Sequence, residues 1–181
     1  MRLCFPIVCV LLAGCAQRPL PDLGDIPAFQ LTDQLGRTFS SATLGGHVWV
    51  ADFVFTNCEG PCPRMSSHMS SLQSKTDAAV KLISFTVDPA RDTPQVLGEY
   101  AKKFNNDSGR WLLLTGDVVT LNMLDQDAFK LGSIGGDSIE HSTRFALVDK
   151  NGHIRGYYGI SDGDPVNKIA KDAARLEKES S

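Results

Sequence analysis

Two cysteines with three residues between them carry most of the chemistry available to this chain of 181 residues. Cys58 and Cys62 stand in Phe55-Thr56-Asn57-Cys58-Glu59-Gly60-Pro61-Cys62-Pro63, after a strongly apolar run and before a helical pattern. A thiol pair at a strand-to-helix turn can close a disulfide, exchange one, or hold a soft metal ion. An inert staple is poorly motivated, because closing a loop over three residues removes little chain entropy. A helix N-terminus near Cys62 is expected to favour its thiolate, the form that both exchange and metal binding require.

Cu(I) prefers thiolates and accepts imidazole, so two sulfurs and one nitrogen would make a compact copper site. Four histidines are available. His47 opens a strand and His153 sits beside a turn, which makes both surface residues. His68 reads as a helix-flank histidine next to Met65 and Met69, whose helical spacing is that of core filling. His141 precedes an apolar run, Phe145 to Val148, and follows the glycine-rich stretch Gly132 to Gly136. If the strand it enters lies beside the cysteine turn, its ring reaches the sulfurs; position alone reads equally as a loop histidine.

The other three cysteines lie upstream. Arg2, the apolar stretch Leu3 to Leu12 and Leu12-Ala13-Gly14-Cys15 read as an export signal over residues 1–14, too short to cross a bilayer as a mature helix. Leu-Ala-Gly-Cys resembles the lipobox of bacterial lipoproteins, which implies cleavage before Cys15 and lipidation of its sulfur. Cys4 and Cys9 would leave with the leader, so that Cys58 and Cys62 are the remaining thiols in an oxidising compartment. Residues 15–25 then form the lipidated cysteine and a Pro-rich tether, and residues 26–181 one domain. The net charge of −3 shows no basic patch, which argues against nucleic acid as a partner.

The elements that must position the cysteines follow from periodicity. Phe29 to Thr32 and Arg37 to Phe39 flank a turn and predict an N-terminal β-hairpin. His47 to Phe55 and Val80 to Val87 read as strands buried on both faces, and Trp111 to Leu114 as a third strand. Pro61 and Pro63 open a helix with Met65, Met69 and Leu72 on its inner stripe. Asp92-Thr93-Pro94 reads as a helix start with Asp92 as the cap, and Asp117 caps another helix. Asn151-Gly152 between Phe145–Val148 and Ile154–Tyr158 signals a hairpin, and Asp164-Pro165 opens a last helix. Strands alternating with helices predict an α/β protein, a central mixed sheet flanked by helices. The cysteine turn after the first buried strand and the hairpin before the last helix resemble the thioredoxin fold. A flavodoxin-like sheet fits less well, because no glycine-rich phosphate loop is present.

Together these residues resemble the Sco/SenC family of thioredoxin-fold copper-binding proteins of cytochrome c oxidase assembly. The resemblance is carried by Asp52-Phe53-Val54-Phe55-Thr56-Asn57-Cys58 with Cys62-Pro63, by Val87-Asp88-Pro89-Ala90-Arg91-Asp92-Thr93-Pro94, by Trp111 with Leu114-Thr115-Gly116, and by His141-Ser142-Thr143 leading into Leu147-Val148-Asp149. It runs from about Ile26 to the last helix. It implies that Cys58, Cys62 and His141 ligate copper, and that the protein delivers the ion to the binuclear copper centre of the oxidase or first reduces that centre's cysteines. The implied partners are the copper-bearing subunit of the oxidase or another periplasmic copper protein, a thiol reductant, and a membrane through the lipid anchor. The implied location is that of an exported bacterial lipoprotein with its domain in the periplasm or at the outer face of the cytoplasmic membrane. One departure is visible: Glu59 follows the first cysteine where family members often have proline. Asp88, and Glu140 beside His141, read either as supports of the site or as turn and loop charges.

Other functions remain to be separated. A periplasmic thiol-disulfide oxidoreductase would need both cysteines but not the imidazole. A peroxide-scavenging enzyme would need one activated cysteine near an arginine, for which Arg64 and Arg144 are the nominal candidates. Zinc fits two sulfurs, a nitrogen and water, but brings no redox chemistry.

Overall fold

The computed structural model describes residues 18–131 and 143–179. Cys15, Glu140 and His141 lie outside the described residues, as do Cys4 and Cys9. A seven-stranded mixed sheet has the order β2-β1-β5-β4-β3-β6-β7. Its strands are β1 (Gln30–Asp33), β2 (Thr38–Ser40), β3 (Trp49–Val54), β4 (Lys81–Thr86), β5 (Trp111–Thr115), β6 (Arg144–Val148) and β7 (Ile154–Gly159). The central β3, β4 and β5 are parallel, β6 runs antiparallel to β3, and the β1–β2 hairpin adds antiparallel to β5. The expected N-terminal hairpin and mixed sheet are thus present.

Every residue of β3 is buried, as an apolar strand covered on both faces must be. Its side chains alternate between two cores. Val50 and Val54 face the cluster built by α1 (Cys62–Lys75), α2 (Pro94–Lys102) and α4 (Pro165–Leu176). Trp49, Ala51 and Phe53 face the cluster closed by α3 (Val118–Asn122) and the π turn Met123–Ala128 that continues it. Met65, Met69 and Leu72 are fully buried in the first cluster, which is the core role their spacing predicted. Phe129, just past the π turn, packs edge-on to Trp49 at 5.8 Å and Phe53 at 5.5 Å.

One helix cap differs from expectation. The α2 cap is Thr93, whose hydroxyl accepts from the Val96 amide at 3.3 Å. Asp92 is fully buried and turned inward, away from the helix end. Asp117 and Asp164 cap α3 and α4 as the pattern predicts.

Strand directions give the sheet two ends. The β6–β7 turn at Asp149 to Gly152 lies where β3 begins, since Trp49 pairs with Val148. The chain leaves β3 at the opposite end, through Phe55 to the cysteines, and β6 starts at that same end, where Arg144 pairs with Gly159.

Candidate functional site

Cys58 sits in the loop after β3 and Cys62 in the first turn of α1. Cys58 is half-buried, Cys62 is buried, and both are free thiols. The Cys62 amide, at the open end of the helix, donates to Cys58 Sγ at 3.4 Å. The helix terminus therefore serves the first cysteine. This corrects the expectation for Cys62. Burial, the nearby Cys58 sulfur and the Asp52 carboxyl push the Cys62 thiol up to about 12, although the Phe55 amide pulls the other way. Loss of water around the sulfur outweighs the field of the helix end.

These two environments predict unequal reactivity. In the reduced protein at neutral pH, iodoacetamide is expected to modify Cys58 well before Cys62, read by mass spectrometry of the peptide spanning both. Equal rates would contradict the burial assigned to Cys62.

The loop carrying Cys58 is pinned by Asp92. Its carboxylate accepts from the Thr56 amide at 3.2 Å, from Thr56 Oγ1 at 2.5 Å and from Thr86 Oγ1 at 2.5 Å. Thr56 lies two residues before Cys58, so this carboxylate ties the cysteine loop to the ends of β3 and β4. Asp92→Ala would strand one amide and two hydroxyls in a largely buried place, at about 2–4 kcal/mol of folding stability. Urea denaturation checks the loss, and faster alkylation of Cys58 would report the loosened loop.

Beneath the pair lies a second carboxyl, that of Asp52, at the start of the Asp52-Phe53-Val54 motif. Asp52 is fully buried in mid-β3, on the face covered by α1. Ser84 Oγ donates to its Oδ1 at 2.5 Å, and Trp111 Nε1 donates in turn to Ser84 Oγ at 2.9 Å. Its Oδ2 has no partner among the described residues. Burial raises this carboxyl to about 7. The available signal was a charged residue inside a run otherwise apolar on nearly every position. Tyr100 adds a polar contact nearby, its hydroxyl 2.8 Å from Ser66 Oγ.

The remaining candidates separate clearly. The Asp88 carbonyl accepts from the Arg91 amide at 3.1 Å and the Asp92 amide at 2.9 Å, and its carboxylate pairs with Arg91 at 2.5 Å. Arg64 donates to the Ile160 carbonyl at 3.1 Å, and Arg144 lies over the Tyr157 ring at 5.6 Å. His68 packs against Phe145 with ring centres 6.0 Å apart, and burial lowers its pKa. His153 pairs with Asp22 at 2.8 Å near the far end of the sheet, which raises its pKa.

His141 itself lies outside the described residues, but the chain resumes at Thr143 on the cysteine end of the sheet. The Thr143 carbonyl accepts from the Ile160 amide at 2.9 Å, and the Ile160 carbonyl accepts from Arg64 in the first turn of α1. One residue thus links the helix turn of Cys62 to the residue two positions after His141.

Comparison with known proteins agrees with this architecture. The SCO1/SenC family model matches residues 22–177. A SCO1/SenC family lipoprotein from Bacillus anthracis has a solved structure 35% identical to this chain, with a TM-score of 0.79 over 89% of this chain and 100% of its own. BsSco, a member of the Sco family of cytochrome c oxidase assembly proteins in which a disulfide switch was identified, is 32% identical, with a TM-score of 0.79 over 91% of this chain and 100% of its own. Yeast Sco1 with copper bound is 27% identical, with a TM-score of 0.68 over 88% of this chain and 96% of its own. The fold is that of these proteins, which is the thioredoxin-like fold expected from the cysteine turn and hairpin.

Proposed function

Because the chain belongs to the SCO1/SenC family, we propose that it is a membrane-tethered copper chaperone that takes its cargo between Cys58, Cys62 and His141. The observation that carries this reading is the pair of free thiols at one end of the sheet, joined through Ile160 to the strand that His141 precedes. Copper bound to a Sco protein of yeast supports the choice of cargo. The acceptor is the copper-bearing subunit of cytochrome c oxidase or another periplasmic copper protein. Cys15, in its lipobox-like context, is the lipid attachment site.

The residues divide the work as follows. Cys58 is the accessible sulfur and meets the incoming ion or the acceptor's thiolate first. Cys62 is held as a protonated thiol by burial and gives up its proton only as the metal replaces it. Capture therefore releases protons and tightens as pH rises. Transfer proceeds by ligand exchange, as acceptor groups displace the chaperone's ligands one at a time. A disulfide between the two sulfurs cannot hold the ion, so a thiol reductant must supply two electrons and two protons before loading. Asp92 keeps the Cys58 loop in place through Thr56 during these exchanges.

Metal analysis of the reduced chain tests this reading, with one copper per chain expected. His141→Ala stands beside it. A purely dithiol oxidoreductase would keep its activity without the imidazole, whereas the chaperone would lose affinity for its cargo.

A further inference from the structure

The Pro-rich stretch ahead of the domain is bound to it along most of its length. The Leu23 amide donates to the Ile154 carbonyl at 2.9 Å, the Ile26 amide to Gly152 at 3.0 Å, and the Ile154 amide to Gly24 at 2.8 Å. Arg155, its side chain only 13% exposed, donates to the Leu20 carbonyl at 2.8 Å and the Pro21 carbonyl at 2.9 Å. The same guanidinium pairs with Asp149 and Glu179. Arg175, in the last turn of α4, donates to the Arg18 carbonyl at 2.6 Å.

These partners gather at one end of the sheet. Gly152 and Asp149 belong to the β6–β7 turn and Ile154 opens β7. Lys150 of that turn donates to the Glu177 carbonyl just past α4 at 2.7 Å, and the Gly46 amide ahead of β3 donates to the Lys150 carbonyl at 2.9 Å. β3 starts here and runs away from it, so Cys58 and Cys62 stand at the other end.

We infer that the protein stands on the bilayer with this turn end against the lipid and the cysteine pair at the far end. The inference rests on the reading of Cys15 as the anchor. A free segment from Cys15 to Ile26 would extend to nearly 40 Å at about 3.3–3.6 Å per residue, enough to let the domain roll its cysteines down to the headgroups. Docking from Arg18 onward leaves three residue steps, about 10 Å, between the lipidated sulfur and the domain. The six residues of β3 alone put about 20 Å between the two ends. The surface against the turn end is a lipid headgroup layer. The matching acceptor is a protein that presents its copper ligands well above the membrane, not one whose ligands lie in the headgroup layer.

Energy transfer to a headgroup-bound acceptor dye tests the orientation on the full-length lipidated protein in phosphatidylcholine vesicles. One sample carries a maleimide donor on Cys58. The other carries it on Asn151→Cys, an exposed turn position, in a Cys58→Ser, Cys62→Ser background. The turn label is expected to be quenched several-fold more than the Cys58 label. Protein that floats with the vesicles but shows equal quenching at both positions, or stronger quenching at Cys58, overturns the orientation and leaves the anchor standing. Protein that does not float overturns the anchor, and the orientation with it.

Discussion

Replacing His141 by alanine is expected to weaken copper binding by the reduced chain on the order of a hundredfold. Metal sites whose four ligands together supply about 10–16 kcal/mol make one ligand worth about 3 kcal/mol. Cys58→Ser and Cys62→Ser should each do more, because a hydroxyl does not ionise to replace a soft thiolate. The two cysteine variants should nevertheless differ in folding. Cys58 lies at the half-buried edge of the site and Cys62 is fully buried in the α1 core, where a hydroxyl is left to find a partner among apolar neighbours. Competition with a chromophoric copper chelator measures the affinities. A His141→Ala chain that binds as tightly as the wild type would remove the imidazole from the site and leave dithiol exchange as the function.

Asp52→Asn is expected to make the protein more stable at pH 8 and less so at pH 4. The wild-type carboxyl has its pKa raised from 3.8 to about 7 by burial. Between these two values the folded chain holds a proton that the unfolded chain has released. Stability therefore falls as pH rises through this window and levels off above it. The full span corresponds to about 4 kcal/mol of unfavourable burial above pH 7. An asparagine carries no charge to bury, but its NH₂ group must sit where Oδ2 has no partner among the described residues, at about 1–2 kcal/mol. The net gain is about 2 kcal/mol at pH 8, turning to a small loss near pH 4, where the folded carboxyl is neutral, the unfolded one is only partly ionised, and little burial penalty remains to be relieved. Urea denaturation of both proteins at several pH values checks this. A difference that does not change with pH would show that the carboxyl titrates as it does in water. Asp125, raised to about 6 by burial, slopes the same way in both proteins and cancels in the comparison.

A buried carboxyl beneath the thiols also bears on the redox chemistry. Asp52 contributes to raising the Cys62 pKa, so the same residue that costs folding stability helps keep the inner sulfur protonated until metal or disulfide chemistry claims it. The Ser84 hydroxyl, itself held by Trp111, fixes one oxygen, and the other has no partner among the described residues. Sites held by function rather than stability commonly show that imbalance.

Much of this protein is written locally in its sequence. The apolar runs of β3 and β4, the prolines that open α1, α2 and α4, the Asn151-Gly152 turn and the cysteine spacing each act over a few residues, through backbone preference and side-chain alternation. Strand, helix and turn were legible for that reason, and so was the motif set of the family. Tertiary structure alone decided what depends on contacts across the chain. Asp92 reads as a helix cap, yet it spends its oxygens on Thr56, 36 residues earlier, and leaves the cap to Thr93. Cys62 reads as a helix-end thiolate, yet the packing of α1 over β3 strips its water and reverses the shift. The Pro-rich stretch after Cys15 reads as a tether, yet Arg155 and Arg175, more than 130 residues away, bind its carbonyls. Local sequence sets which conformations are cheap, but desolvation and long-range hydrogen bonds exist only once distant segments have been brought together.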